Sequence, residues 1–297
     1  RNNFSLLYQP VSMRKLIKIL LWSVLGLIVL LGGAMAVFVY KVKHGFPVSY
    51  ETETPKIDFP NDRPAILLFS KTTGFRHSGS IDASKPIIAD LAKKNGWFLY
   101  ETEEGGVFNA EQLSKFKTVI FNNSTGRVLN DEQQKALEQY VENGGNLIGI
   151  HGAGDNSHEW PWYVNNLLGA EFSHHPLKPQ FQKTDVLVDA QADSSITAQI
   201  PQPWSHTDEW YVFFENPRKK GFNILFTING ETIIPNGNVP ILASDKNFGM
   251  GKDHPVAWCK QIGKGKTFYT SMGHDESVWT DPNFVKLIEN GINWTIK

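Results

Sequence analysis

The stretch Gly144-Gly145-Asn146-Leu147-Ile148-Gly149-Ile150-His151-Gly152-Ala153-Gly154-Asp155 decides the fold. A glycine pair closes a helical run, and a short apolar segment then stops abruptly at a histidine. Such a segment reads as a buried parallel strand, and the small residues after it let the backbone turn at once. Open α/β sheets bind ligands outside the carboxyl ends of their strands, so His151 and Asp155 occupy the place where this architecture puts chemistry.

The same grammar extends to both sides. Strands are expected at Ala65–Ser70, Trp97–Glu101, Thr118–Asn122 and Asn146–Ile150. Helices at Ile81–Asn95, Ala110–Phe116 and Asn130–Asn143 alternate with them, the last with an asparagine cap and a Gly-Gly stop. The alternation predicts a mostly parallel sheet flanked by helices, an α/β fold of flavodoxin-like kind with right-handed crossovers. Beyond Asp155 the pattern loosens: a short helix at Trp160–Leu168, strands at Thr184–Asp189, Glu209–Phe214, Phe222–Thr227, Val239–Ala243, Pro255–Ile262 and Thr267–Ser271, and a closing helix at Phe284–Trp294.

The amino terminus stands apart. Ile19 to Tyr40 is a run of 22 uncharged residues behind Arg14, Lys15 and Lys18. That length spans a bilayer, and the basic flank predicts a cytoplasmic amino terminus with the body exported. Ala34-Met35-Ala36 offers a signal-peptidase site, but apolar residues continue through Tyr40, which favours an uncleaved anchor. The expected organisation is a cytoplasmic segment (1–18, with Met13 resembling a natural start), a transmembrane anchor (19–40), a polar linker (41–63) and one α/β domain (64–297). The domain is then expected in the periplasm or on the extracellular side.

The 297 residues carry 29 Lys and Arg against 30 Asp and Glu. No basic excess points to nucleic acid. The single cysteine, Cys259, excludes an intrachain disulfide and a multi-cysteine zinc site, and its alternating apolar surroundings read as core. Gly265-Lys266-Thr267 lacks the first glycine of a phosphate loop, since Lys260 holds that place. Asn122-Asn123-Ser124 and Asn293-Trp294-Thr295 match a glycosylation pattern that is common by chance.

Five polar clusters follow strand ends or lie near them: Lys71–Ser78, Asn122–Gly126, His151–Asp155 with His158-Glu159-Trp160, His206–Tyr211, and Ser271–Asp275 with Trp279. One histidine is commonly structural. Three of them, His77, His151 and His274, each just past a strand end, point to acid–base chemistry or to metal ligation. With Asp208 or Glu209 they could bind Zn²⁺ or another divalent ion through nitrogen and oxygen, although no compact motif of the H-E-x-x-H kind occurs. His174-His175-Pro176 could contribute or form a loop turn, and its proline favours the loop.

Taken together, Lys71-Thr72-Thr73-Gly74-Phe75-Arg76-His77, Gly149 to Asp155, Asp208-Glu209-Trp210-Tyr211 and Phe268 to His274 resemble the ThuA-like (trehalose utilisation) family. Trp279-Thr280-Asp281-Pro282 and Gly291-Ile292-Asn293-Trp294 also fit, and the resemblance covers about residues 64–297. It implies the class I glutamine amidotransferase-like fold and a link to uptake or breakdown of disaccharides, including keto-sugars. In amidotransferases of that superfamily a cysteine occupies the turn after the central strand. Here His151 and Gly152 stand there, so no glutaminase activity is expected.

The resulting expectation is an extracytoplasmic enzyme acting on a disaccharide or keto-glycoside by histidine-based hydrolysis, elimination or isomerisation, with or without a metal. His151 would be the base, Asp208 or Glu209 its partner or a metal ligand, and His77 and His274 oxyanion stabilisers. Thr73, Arg76, Asn123, Asp155, Trp160, Trp210, Tyr211 and Trp279 would bind the substrate. The alternative is a carbohydrate-binding or scaffold protein without catalysis, relying on tryptophans that include Trp162. A third reading is a degenerate amidotransferase relative serving as a protein-interaction module. Expected partners are a small carbohydrate and, through the amino-terminal helix, the membrane; homo-oligomerisation is compatible with the sequence.

Overall fold

A computed structural model describes residues 12–44, 49–155, 157–238 and 246–297. Helix α1 (Met13–His44) is exposed along its described length, and its segment Met13–Lys41 is long and apolar enough to cross a membrane. The body then runs β1 (Ala65–Phe69), α2 (Ser78–Asn95), β2 (Phe98–Thr102), α3 (Ala110–Leu113), β3 (Phe116–Asn122), α4 (Asp131–Glu142) and β4 (Asn146–Ile150). Next come α5 (Pro161–Tyr163), which continues as a π turn over Val164–Leu168, β5 (Phe172–His174), β6 (Phe181–Val188) and α6 (Ser194–Thr197). The chain finishes with β7 (Trp204–Glu209), β8 (Val212–Phe213), β9 (Asn223–Ile228), β10 (His254–Ile262), β11 (Gly265–Thr270) and α7 (Pro282–Ile296).

Nine strands form one sheet in the order β2-β1-β3-β4-β11-β10-β9-β6-β7, and β5 pairs with β8 in a small ribbon. From β2 to β11 every pairing is parallel; from β11 to β7 every pairing is antiparallel. Two reversals separate β11 from β9 and two more separate β9 from β7. The carboxyl ends of β1, β3, β4, β11, β9 and β7 therefore point the same way.

The parallel strands are apolar on both faces because helices cover both. Along β1, Ile66 and Leu68 face one core with Ile88 and Leu91 of α2 and Leu287 and Ile292 of α7. Leu67 and Phe69 face the other, with Leu137 and Val141 of α4. Val119, Ile120 and Phe121 of β3 are fully buried, and each such side chain contributes roughly 1.5–3 kcal/mol. Helix α4 begins in a capping box in which the Asn130 and Gln133 side chains each accept the other's backbone N–H. It ends before Gly144, whose φ of +117° suits glycine.

Three expectations are corrected. The strand expected over Glu209–Phe214 is the end of β7 followed by the short β8, because the chain breaks at Trp210 and Tyr211, which turn into the core. β5 comes from the His-Pro-rich segment, where no strand was expected. The polar stretch read as a linker touches the domain at particular residues: Phe59 packs against Phe98 and Phe116, and the Glu51 carboxylate pairs with Lys71 and accepts the Gly105 N–H. The expected strand Val239–Ala243 lies outside the described residues.

Candidate functional site

The loops after β1, β4 and β11 deliver three histidines to one place. The rings of His77, His151 and His274 lie mutually edge-on with centroids 4.8–4.9 Å apart. Glu209, the last residue of β7, joins them, and one ligand atom from each of the four lies within 4.8 Å of the others. His151 has φ of +43°, a left-handed conformation that costs a non-glycine residue about 1–3 kcal/mol. That turn points its imidazole across the sheet edge. Gly152 follows because space runs out: a Cβ there would stand 2.9 Å from His77 Nδ1 and 3.1 Å from a Thr125 methyl carbon.

Hydrogen bonds set the protonation pattern. His151 Nδ1 lies 2.6 Å from the Ser271 carbonyl, to which it can only donate, so the Nε2 lone pair faces the cluster. Nε2 stands 3.0 Å from His274 Nδ1 and 3.5 Å from Glu209 Oε2, while His274 Nδ1 and Glu209 Oε2 are 3.0 Å apart. Oε2 is buried and makes no well-directed hydrogen bond to either ring. The other carboxylate oxygen, Oε1, is held by Gln180 Nε2 at 2.7 Å and His175 Nδ1 at 2.9 Å. Burial alone would raise the Glu209 pKa, but the surrounding histidines hold it well below the usual carboxylate range. Burial drives the His77 pKa well down, and the neighbouring histidines add to that.

Three nitrogens and an oxygen gathered in one place, with the outer atoms of His151 and Glu209 held by the Ser271 carbonyl and by Gln180 and His175, form a donor set suited to a divalent ion. Zinc–ligand bonds of about 2.0–2.1 Å at tetrahedral angles separate donor atoms by about 3.3 Å, close to the three distances above. The orphaned Oε2 is the atom such an ion would satisfy.

Asp208 points away from its neighbour Glu209. It is fully buried and accepts the backbone N–H groups of Gly273 at 2.7 Å, Glu209 at 2.8 Å and His274 at 3.2 Å. Behind it His206 bridges to Asp208 at 3.4 Å and Asp281 at 2.9 Å, and Trp204 also donates to Asp281. Burial would lower the His206 pKa, but these carboxylates outweigh it and hold it up at about 9. Asp208 therefore ties the loop carrying His274 to the strand carrying Glu209.

A cavity of about 660 Å³ opens beside the cluster and is lined in part by His77, His175, Glu209, His274, Tyr211 and Asp155. The Asp155 carboxylate accepts the backbone N–H and hydroxyl of Ser157, and burial pushes its pKa up to about 7. His151 is wholly buried behind this lining.

Other expected substrate-binding residues lie outside the lining of this cavity. Trp160, Trp210 and Trp279 are buried, with indole N–H groups bonded to Glu138, the Gln182 carbonyl and Ser80. Arg76 is paired with Glu103 and Thr73 is buried against the Thr125 carbonyl. Asn123 supports the site from behind, accepting the Gly152 N–H and donating to Ser80. His158 donates to the Ser124 carbonyl, and burial lowers its pKa to about 4. His175 belongs to the segment read from the sequence as a loop, yet its ring reaches Glu209; Gln180 was not singled out in the sequence. Cys259 is buried, its thiol pushed up to about 12.

The family model described as "ThuA: Trehalose utilisation" matches residues 65–295. Among solved structures, a putative ThuA-like protein from Bacteroides uniformis ATCC 8492 is 23% identical with a TM-score of 0.64, covering 84% of this chain and 95% of its own. A putative ThuA-like protein from Parabacteroides merdae ATCC 43184 is 16% identical with a TM-score of 0.58, over 80% and 91%. These likenesses show the fold. Comparison with curated proteins gave no match.

Proposed function

The chain belongs to the ThuA (trehalose utilisation) family, and on that premise we propose that it is a membrane-anchored, extracytoplasmic enzyme acting on a disaccharide or keto-glycoside. The observation that carries this reading is the convergence of three histidines and Glu209 on the wall of a 660 Å³ cavity. Among them His77 and Glu209 are buried with displaced pKa values, and such groups mark reactive sites. A divalent ion held by His77, His151, Glu209 and His274 would polarise a substrate oxygen.

The chain's own groups favour proton abstraction over two-carboxylate glycoside hydrolysis. Glu209 is buried, with Oε1 held by Gln180 and His175 and Oε2 turned toward His151 and His274, which removes it as a free nucleophile. Asp155 lines the same cavity with a carboxyl pKa of about 7, near the optimum for giving and taking protons at neutral pH. A keto group acidifies the neighbouring C–H. Asp155 would take that proton and later return it, the pattern of elimination or isomerisation. His151 serves as the innermost anchor.

The test uses the purified full chain, a keto-glycoside and D₂O. About one divalent ion per chain and deuterium entering the carbon beside the keto group are expected, with exchange lost in Asp155→Asn. A metal-loaded protein that neither exchanges nor turns over keto-glycosides refutes the reading. For topology, protease added to spheroplasts should digest the body; protection until lysis rejects the extracytoplasmic placement.

A further inference from the structure

The mouth of the cavity carries exposed aromatic rings that the core does not need. Outside α1, among the described residues, the large apolar side chains left at the surface include Phe75, Phe181 and Phe214, which are 45%, 42% and 58% exposed. Phe75 meets His77 edge-on at 5.0 Å and Phe181 meets His274 at 5.3 Å. Rings clustered in water around a polar floor mark a binding surface. They take the place that the buried tryptophans cannot fill.

Phe214 has a second role in the geometry. It lines the histidine cavity and also an adjoining open groove of about 720 Å³, which includes Trp160, Asn165, Glu171 and Glu215. Glu171 and Phe172, adjacent in the chain, line the groove and the histidine cavity respectively. The Phe214 N–H donates to the Glu171 carbonyl at 2.9 Å, holding the Phe214 backbone beside the groove. The groove thus pairs an aromatic wall with carboxylate and amide groups. A pyranose needs that combination, an apolar C–H face against a ring and hydroxyls toward hydrogen-bond partners.

We propose that Phe214 is the shared wall of two sugar subsites, the reacting ring lying in the histidine cavity and the second ring of a disaccharide in the Glu171–Glu215 groove. This rests on the carbohydrate reading above and specifies the size of the substrate. The groove contributes no group to the histidine cluster, so its contribution is to the binding of two-ring ligands.

Isothermal titration of the full chain with methyl α-glucopyranoside, a one-ring probe, and trehalose, a two-ring probe, tests this. Trehalose should bind about tenfold tighter, the size of one good stacking contact. Phe214→Ala should erase most of that preference. Because Phe214 is largely exposed, this substitution leaves the fold intact. Glu171→Gln, which touches the groove alone, should weaken trehalose by a few-fold and leave methyl glucoside unchanged. Equal affinity for both probes in the unaltered protein, or an unchanged ratio in Phe214→Ala, overturns the two-subsite proposal and leaves the carbohydrate reading standing. If neither probe binds at millimolar concentration, both fall.

Discussion

The parallel and antiparallel halves of the sheet bring residues to one site by different means. In the parallel half, His77 and His151 follow β1 and β4, and parallel order alone puts their loops on one edge. In the antiparallel half, Glu209 ends a strand four places from β11, which in a flat sheet would be about 19 Å away. It reaches the cluster because the sheet curls back, and that closure is held by Asp208 accepting N–H groups from Gly273 and His274. Topology suffices on one side; on the other, specific buried hydrogen bonds are required. Ligation and stability should therefore separate in the antiparallel half even between adjacent residues.

The largest effect should come from removing one donor from each half. His151→Ala and Glu209→Ala should both abolish stoichiometric metal binding and, by removing the stabilisation of developing charge, lower turnover by about 10²–10³-fold. Metal analysis and single-turnover kinetics would show it; full metal content in either variant breaks the idea that both halves ligate. Next, Asp208→Asn leaves one oxygen for three N–H donors. Metal affinity should fall about 10–100-fold, with a clear loss of thermal stability. Glu209→Gln should lose metal with little change in melting temperature, so equal melting temperatures for the two variants would contradict the separation.

A smaller effect tests the parallel half. Gly152→Ala places a carbon 2.9 Å from His77 Nδ1, which must then move. Metal affinity should drop about tenfold while the fold holds, and unchanged affinity would remove His77 from the cluster. The smallest effect is in pH dependence. The His206 pKa is raised from 6.5 to about 9, so its contribution to stability is fully present below pH 6.5 and lost as pH rises through 9. Melting temperatures should show that decline in the unaltered protein and a flatter profile in His206→Gln. Parallel profiles for the two would show that His206 does not hold the closure.

The parallel half was legible because each signal there is local. The asparagine cap, the glycine stop and the apolar runs sit within a few residues of the strand or helix they define, and β4 occupies Asn146–Ile150 as expected. The antiparallel half was less so. Asp208 and Glu209 are adjacent and chemically alike, and their opposite orientations follow from β7 alternation and from contacts with residues 65 positions away. Trp160, Trp210 and Trp279 looked like sugar platforms because tryptophan serves both surface and core, and composition cannot tell which side of a strand is covered. The exposed phenylalanines carried no such flag.

By itself the sequence determined a parallel α/β domain behind an apolar helix, and which three histidines stand past strand ends, because strand periodicity and glycine punctuation are properties of neighbouring residues. Only the tertiary structure decided that Glu209 faces the cluster while Asp208 braces it, that His175 and Gln180 hold the carboxylate from outside, and that phenylalanines rather than tryptophans frame the cavity. Those outcomes depend on how a nine-stranded sheet curls and what packs over it, and burial is settled by the whole chain at once.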